Sequence, residues 1–285
     1  MGNNQCNTIS ISSEGLGSSL LNLNPPAWSQ NQPASEHTPS PEKATKVNKF
    51  HKLKPKVLKR LQENHAFILS LNPVDADPQF KDLPFLGPYQ YENGGRYFGQ
   101  YKEGTRLGRG IWIETNGDST IGYFKNGQSE GLGLRVLSNG TYFLGSFNRG
   151  VPHGYGEIFY QDGSYYKGEF YEGKMRGQGL EHRVGQYTYI GNFWDFKWQG
   201  YGKLAYVDGK EYVGKFFGGK FHGDGTLRDP ERPSQYEYSG EFFQGKKHGL
   251  GMVSNQEQNR RIVANFVHGD AQGILCTSII SESGS

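Results

Sequence analysis

The chain reads as an all-β protein: an elongated, twisted antiparallel sheet of stacked hairpins, preceded by a disordered tail and a short N-terminal amphipathic helix. Three observations lead to that class. In FLGSFNRGVPHGYGEIFYQDGSY, from Phe143 to Tyr165, the glycines are Gly145, Gly150, Gly154, Gly156 and Gly163. The same set recurs 23 residues earlier at Gly122, Gly127, Gly131, Gly133 and Gly140, and again at Gly99, Gly104, Gly108, Gly110 and Gly117. A fixed period of this size marks a repeat array. The composition agrees, with 42 Gly, 18 Tyr and 18 Phe, because Tyr and Phe suit a pleated surface and Gly suits turns and close backbone approach. Asn-Gly and Asp-Gly pairs between apolar runs supply the hairpin turns.

The tail, residues 1–42, opens Met1-Gly2-Asn3-Asn4-Gln5-Cys6. A glycine exposed by Met removal is the acceptor for N-myristoylation, although the usual pattern has Ser or Thr where Cys6 stands. The start resembles the Met-Gly-x-x-x-Cys opening of doubly acylated kinases of the Src type, which implies myristate on Gly2 and palmitate on Cys6. A single myristoyl chain holds a membrane only marginally, so the second chain matters. The rest of the tail is rich in Ser, Asn and Pro and buries too little apolar surface to offset chain entropy.

Residues 43–72 form the second element. Eight basic residues run from Lys43 to Arg60 with no acid among them. Val57, Leu58, Leu61, Ile68 and Leu71 recur at helical spacing, so 56–71 reads as an amphipathic helix. Lys52, Lys54, Lys56, Lys59 and Arg60 could contact anionic lipid, at roughly 1 kcal/mol per cation. The alternatives are a calmodulin-target-like partner helix and an end cap packed on the first repeat. Residues 73–88, with Pro73, Pro78, Pro84 and Pro88, read as an extended lead-in.

The array spans 89–276, with a short tail at 277–285. Units start at Tyr97, Thr120, Phe143, Tyr166, Tyr189 and Tyr212, then at Tyr238 after an insertion in Asp229–Gln235, and a degenerate unit starts near Ile262. The fifth position is always aromatic: Tyr101, Phe124, Phe147, Phe170, Phe193, Phe216, Phe242 and Phe266. Alternate strand residues share a face, so each first strand presents aromatic, glycine, aromatic on one side in most units. Asn139-Gly140, Asp162-Gly163 and Asp208-Gly209 are read as type I′ turns with positive φ at both central residues. Each unit then has strands at about positions one to six and 13 to 18.

The pattern Tyr-x-Gly-x-Phe-x-x-Gly-x-x-x-Gly-x-Gly resembles the MORN (membrane occupation and recognition nexus) repeat. Tyr166–Gly179, YKGEFYEGKMRGQG, and Phe143–Gly156 are close matches. Three departures stand out: Gly185 falls one place early, Phe196 replaces an eighth-position Gly, and Ala264 and Leu275 replace glycines in the last unit. Distorted turns are expected there. The resemblance implies a scaffold or tether at membranes, in cytoskeletal or axonemal assemblies, or a phospholipid-binding regulatory module.

Other classes find little support. A net charge of +3 implies no global polyelectrolyte partner, and the basic run lacks a nucleic-acid motif. Two cysteines, Cys6 and Cys276, exclude a disulfide scaffold and suit a reducing compartment. There is no long apolar run and no signal-peptide region at the start, which points to a cytoplasmic protein. His153, His222 and His248 share one repeat position and read as exposed turn residues too far apart to bind one metal ion. No cofactor or catalytic set is expected. The first reading is a non-enzymatic scaffold, peripheral at the cytosolic face of a membrane, that recruits a protein partner through the uncovered part of the Tyr101, Phe124, Phe147, Phe170, Phe193, Phe216 and Phe242 row. The alternative is a soluble component of the cytoskeleton or a cilium. Strand edges at the array ends also admit homodimer pairing.

Overall fold

The computed structural model describes residues 45–46, 83–230, 236–255 and 259–279. The expected acylation sites Gly2 and Cys6, the expected 56–71 helix, the cations Lys52, Lys54, Lys56, Lys59 and Arg60, and most of the lead-in lie outside the described residues. What is described is all-β, an open antiparallel sheet in which strands pair in chain order. The chain divides into two compact units, one ending at Gly177 and the other starting at Gln178.

The first unit carries β1 (Thr45–Lys46), β2 (Phe85–Gln90), β3 (Arg96–Lys102), β4 (Thr105–Ile113), β5 (Ser119–Lys125), β6 (Gln128–Val136), β7 (Tyr142–Asn148), β8 (Val151–Phe159), β9 (Tyr165–Tyr171) and the start of β10 (Lys174–Arg183). The two-residue β1 pairs with the end of β2, Thr45 opposite Gln90. The second unit carries the rest of β10, then β11 (Tyr187–Trp194), β12 (Lys197–Tyr206), β13 (Glu211–Phe217), β14 (Lys220–Asp229), β15 (Tyr236–Phe243), β16 (Lys246–Asn255), β17 (Arg260–Val267) and β18 (Asp270–Ile279).

Two kinds of turn alternate, and they are not placed where the Asn-Gly signal suggests. The tight two-residue turns fall at repeat positions seven and eight. There Asn126 and Gly127 have φ of 50° and 80°, and Gln244 and Gly245 have 50° and 86°, the double left-handed signature of type I′. Lys125 pairs with Gln128 and Phe243 with Lys246 across them. The second strand therefore starts at position nine and is longer than expected: β8 runs from Val151 to Phe159.

Asn139-Gly140, Asp162-Gly163 and Asp208-Gly209 instead end three-residue loops in which only the glycine has positive φ. Leu137 N–H donates to Thr141 O at 2.8 Å and Gly140 N–H to Leu137 O at 2.9 Å. The Asn or Asp is retained for its side chain, not for left-handed backbone. Asn139 Oδ1 accepts from Thr141 N–H at 2.9 Å, and Asp162 Oδ1 from Ser164 N–H at 2.8 Å. Asx side chains close turns in this manner.

The core lies on one face. Position-one rings such as Tyr166, Tyr189, Tyr212 and Tyr238 are fully buried, and so is Phe143. Position five adds Phe147, Phe170, Phe193, Phe216, Phe242 and Phe266, and position 16 adds Ile158, Leu204 and Val253.

Candidate functional site

Each position-one ring lies across a pair of facing glycines. In the unit that starts at Tyr212, Gly214 faces Gly225, and a Cβ on Gly214 would come 2.5 Å from the Gly225 Cα. A Cβ on Gly225 would sit on the Tyr212 ring and hydroxyl. The glycines therefore clear space for the ring. The ring returns a hydrogen bond: Tyr212 Oη–H donates to Lys215 O at 2.9 Å, Tyr189 to Asn192 O at 3.0 Å, and Tyr238 to Glu241 O at 2.9 Å. Burial pushes the phenols of Tyr97, Tyr187, Tyr189 and Tyr212 well above the usual tyrosine range, and that of Tyr206 up to about 12.

The position-five row forms a ladder of perpendicular rings. Phe147 and Phe170 both meet Phe143 edge-on at 5.1 Å, and Phe216 and Phe242 both meet Tyr212 at 5.1 Å. Edge-to-face contact at this distance is favourable beyond area burial. Phe124, Phe147, Phe170, Phe193, Phe216 and Phe242 are all 4% exposed or less, so they offer a partner almost no area. Tyr101 is half-buried, with its hydroxyl bonded to that of Tyr91. The row is the packing ladder of the sheet.

Polar side chains also reach this core, Arg106 and Glu181 among them. In the first unit the Arg106 guanidinium lies 4.1 Å over the Trp112 ring and 5.4 Å over Tyr91, a cation–π arrangement. In the second, Glu181 is 1% exposed and accepts from Trp198 Nε1–H at 3.0 Å and Arg183 Nε–H at 2.9 Å. The buried carboxylate is thus both paired and hydrogen-bonded, as burial of a charge requires.

The histidines are strand residues, not turn residues. His153 is the third residue of β8, His222 of β14 and His248 of β16. They reach those places because the turn before each strand is complete at position eight. Their rings lie tilted against exposed aromatics at position six. His153 lies 5.1 Å from Tyr171, His222 lies 5.5 Å from Phe217 and 5.6 Å from Phe243, and His248 lies 5.6 Å from Phe243.

This position-six row is the exposed feature that the repeat pattern did not single out. Tyr171 is 46% exposed, Trp194 54%, Phe217 63% and Phe243 47%. In the first three units the same position is Lys102, Lys125 and Asn148. The row is therefore not a constant of the repeat. The visible signal was an aromatic three residues before a Lys at consecutive tips: Tyr171-x-x-Lys174, Trp194-x-x-Lys197, Phe217-x-x-Lys220 and Phe243-x-x-Lys246.

The MORN repeat model matches residues 97–119, 121–142, 143–165, 166–187, 212–231 and 238–253. No curated protein matches. Among solved structures, a point mutant of the TCP10 domain of Danio rerio CPAP is similar at 10% identity, with a TM-score of 0.38 over 67% of this chain and 86% of that one. The SAS-4 (dCPAP) TCP domain of Drosophila melanogaster, solved in complex with a proline-rich motif of Ana2 (dSTIL), is similar at 16% identity, with a TM-score of 0.32 over 56% of this chain and 89% of that one. Six matched repeats, each with its tyrosine or other ring-bearing strand turned back at a glycine, make this chain a MORN-repeat protein.

Proposed function

We propose that the chain is a non-enzymatic scaffold that recruits a protein partner through its repeat array. In this proposal Gly2 and Cys6 hold it at the cytosolic face of a membrane. The observation that carries the scaffold reading is how the polar groups of the core are used. Tyr189, Tyr212 and Tyr238 donate to backbone carbonyls, and Glu181 is held by Trp198 and Arg183. These groups brace the sheet, and the outward face keeps large exposed side chains such as Tyr155, Tyr201 and Leu250, at 60%, 59% and 57%. Exposed apolar side chains of this size, when contiguous, mark interaction surfaces.

The tether rests on Met1-Gly2 and Cys6, because two acyl chains anchor where one does not. Membrane fractionation of wild type beside Gly2→Ala tests it. The expected result is loss of the variant from the membrane fraction, and equal recovery of both proteins overturns the tether. Intact mass of the protein purified from cells that carry the transferase reads acylation directly.

A further inference from the structure

Three consecutive hairpin tips in the second unit end in the same cross-strand pair, an exposed aromatic opposite a lysine: Trp194 with Lys197, Phe217 with Lys220, and Phe243 with Lys246. The lysines differ from others in the same unit. Lys203 pairs with Glu211 at 2.7 Å, Lys210 with Asp208 at 2.8 Å and Lys215 with Asp224 at 3.0 Å. Lys197, Lys220 and Lys246 have no carboxylate within salt-bridge distance among the described residues. His222 fills the gap between Phe217 and Phe243, at 5.5 and 5.6 Å, and His248 extends the row beyond Phe243. The result is a strip of rings bordered by lysines that form no ion pair among the described residues.

We infer that this strip binds an acidic peptide segment of a partner protein in extended, polyproline-like conformation, its apolar face on the rings and its carboxylates on Lys197, Lys220 and Lys246. Two arguments fix the occupant. The first is charge, since three ammonium groups with no ion pair among the described residues favour an anionic ligand. The second is spacing. Successive tips are two strands apart, about 10 Å along the sheet. A polyproline II helix repeats every three residues, about 9 Å. A ligand with one apolar face residue and one carboxylate per turn therefore meets each tip in nearly the same way.

A bilayer fits the strip less well. Neighbouring strands are rotated by roughly 20–25°, so tips two strands apart turn by roughly 40–50°, and the outer two of three face nearly perpendicular directions. A plane meets one such tip at a time. A single extended chain follows the twist.

The inference rests on the scaffold reading and names the chemistry of its partner. The test uses the full-length protein and a labelled repeating Glu-Pro-Pro peptide about 12 residues long, or roughly four helical turns, with anisotropy as readout. Saturable binding is expected, with little binding of a matching Lys-Pro-Pro peptide. Lys197→Glu, Lys220→Glu and Lys246→Glu combined should weaken it by at least about tenfold, and added salt should weaken it in the wild type. Phe217→Ser with Phe243→Ser should weaken it at unchanged circular dichroism. The proposal is overturned by three outcomes: no saturable binding of the acidic peptide, equal affinity of the lysine variant, or preferential binding of phosphatidylserine vesicles or an oligothymidylate lost in that same variant. Such a failure leaves the Gly2→Ala fractionation result unchanged, so it is separable from failure of the tether.

Discussion

At the scale of the residue, the repeat is a contract between one ring and two hydrogen atoms. Gly214 and Gly225 are bare because the Tyr212 ring occupies the space a side chain would need. The hydroxyl adds a hydrogen bond to Lys215 O. The two contributions should separate by mutation. Tyr212→Phe removes one net hydrogen bond and should cost about 1 kcal/mol. Gly225→Ala forces a methyl group into the ring and should cost about 1–3 kcal/mol or more. Urea unfolding of both variants checks the order, and a larger loss for Tyr212→Phe would contradict it. The same burial gives a pH dependence. Phenols raised above about 10 in the folded state keep their protons after the unfolded chain has lost them. The stability they contribute is therefore complete below pH about 10 and lost as pH rises above it, at about 1.4 kcal/mol per unit for each such phenol. Tyr206, at about 12, stops contributing to the slope first, while Tyr187, Tyr189 and Tyr212 continue higher. Denaturant midpoints should fall steadily above pH 10, and a flat profile to pH 12 would refute this account.

At the scale of the element, the strands were legible and the turns were misread. Tyr-x-Gly-x-Phe could be read because a glycine forced by close approach recurs in every unit that keeps the ring. The type I′ turns were hidden because their first residue varies freely: Glu103, Asn126, Arg149, Glu172, Asp195, Gly218, Gln244 and His268 all adopt positive φ. Asn139-Gly140 looked like the turn signal, but its Asn serves as a hydrogen-bond acceptor. The position-six strip was missed for a related reason. A row present in four units disappears when a pattern is averaged over eight, and Lys102, Lys125 and Asn148 hide Tyr171, Trp194, Phe217 and Phe243. The departures noted in the sequence act unequally: the expected distortion does not occur at Phe196, where the turn keeps φ of 53° and 65° and Trp194 stays opposite Lys197. Ala264 brings a methyl group to the glycine approach, and the β17–β18 pairing shifts register twice, where β13–β14 shifts once. Phe196 takes φ of 65° at the place where other tips have glycine, and a bulky residue in that region is strained by about 1–3 kcal/mol. Its ring is half-buried, which offsets part of the strain. Phe196→Gly should therefore stabilise the protein by about 1 kcal/mol, and Gly245→Phe should destabilise it. Thermal unfolding of the pair decides the matter; a lower midpoint for Phe196→Gly would show that the ring's packing outweighs the strain.

At the scale of the whole molecule, charge is divided unevenly. The chain has 31 basic and 28 acidic residues, yet eight of the basic ones lie between Lys43 and Arg60, where no acid occurs. Without that run, 23 basic residues face 28 acidic ones and the net charge falls from +3 to −5. The two cationic features then differ in kind. The run concentrates charge over a short stretch, which suits a dense anionic surface. The tip lysines are dispersed, one per hairpin on a twisting sheet, which suits a linear ligand. Deleting residues 43–60 should consequently abolish sedimentation of the unacylated protein with phosphatidylserine vesicles at low salt and leave acidic-peptide binding intact. The unacylated full-length protein should lose its vesicle binding as the ionic strength approaches about 1 M, where the screening length falls to about 3 Å. Persistence of vesicle binding in the deletion variant would place the lipid affinity on the repeats, against the twist argument. Loss of peptide binding in the same variant would place the carboxylate contacts on the run, against the assignment of Lys197, Lys220 and Lys246.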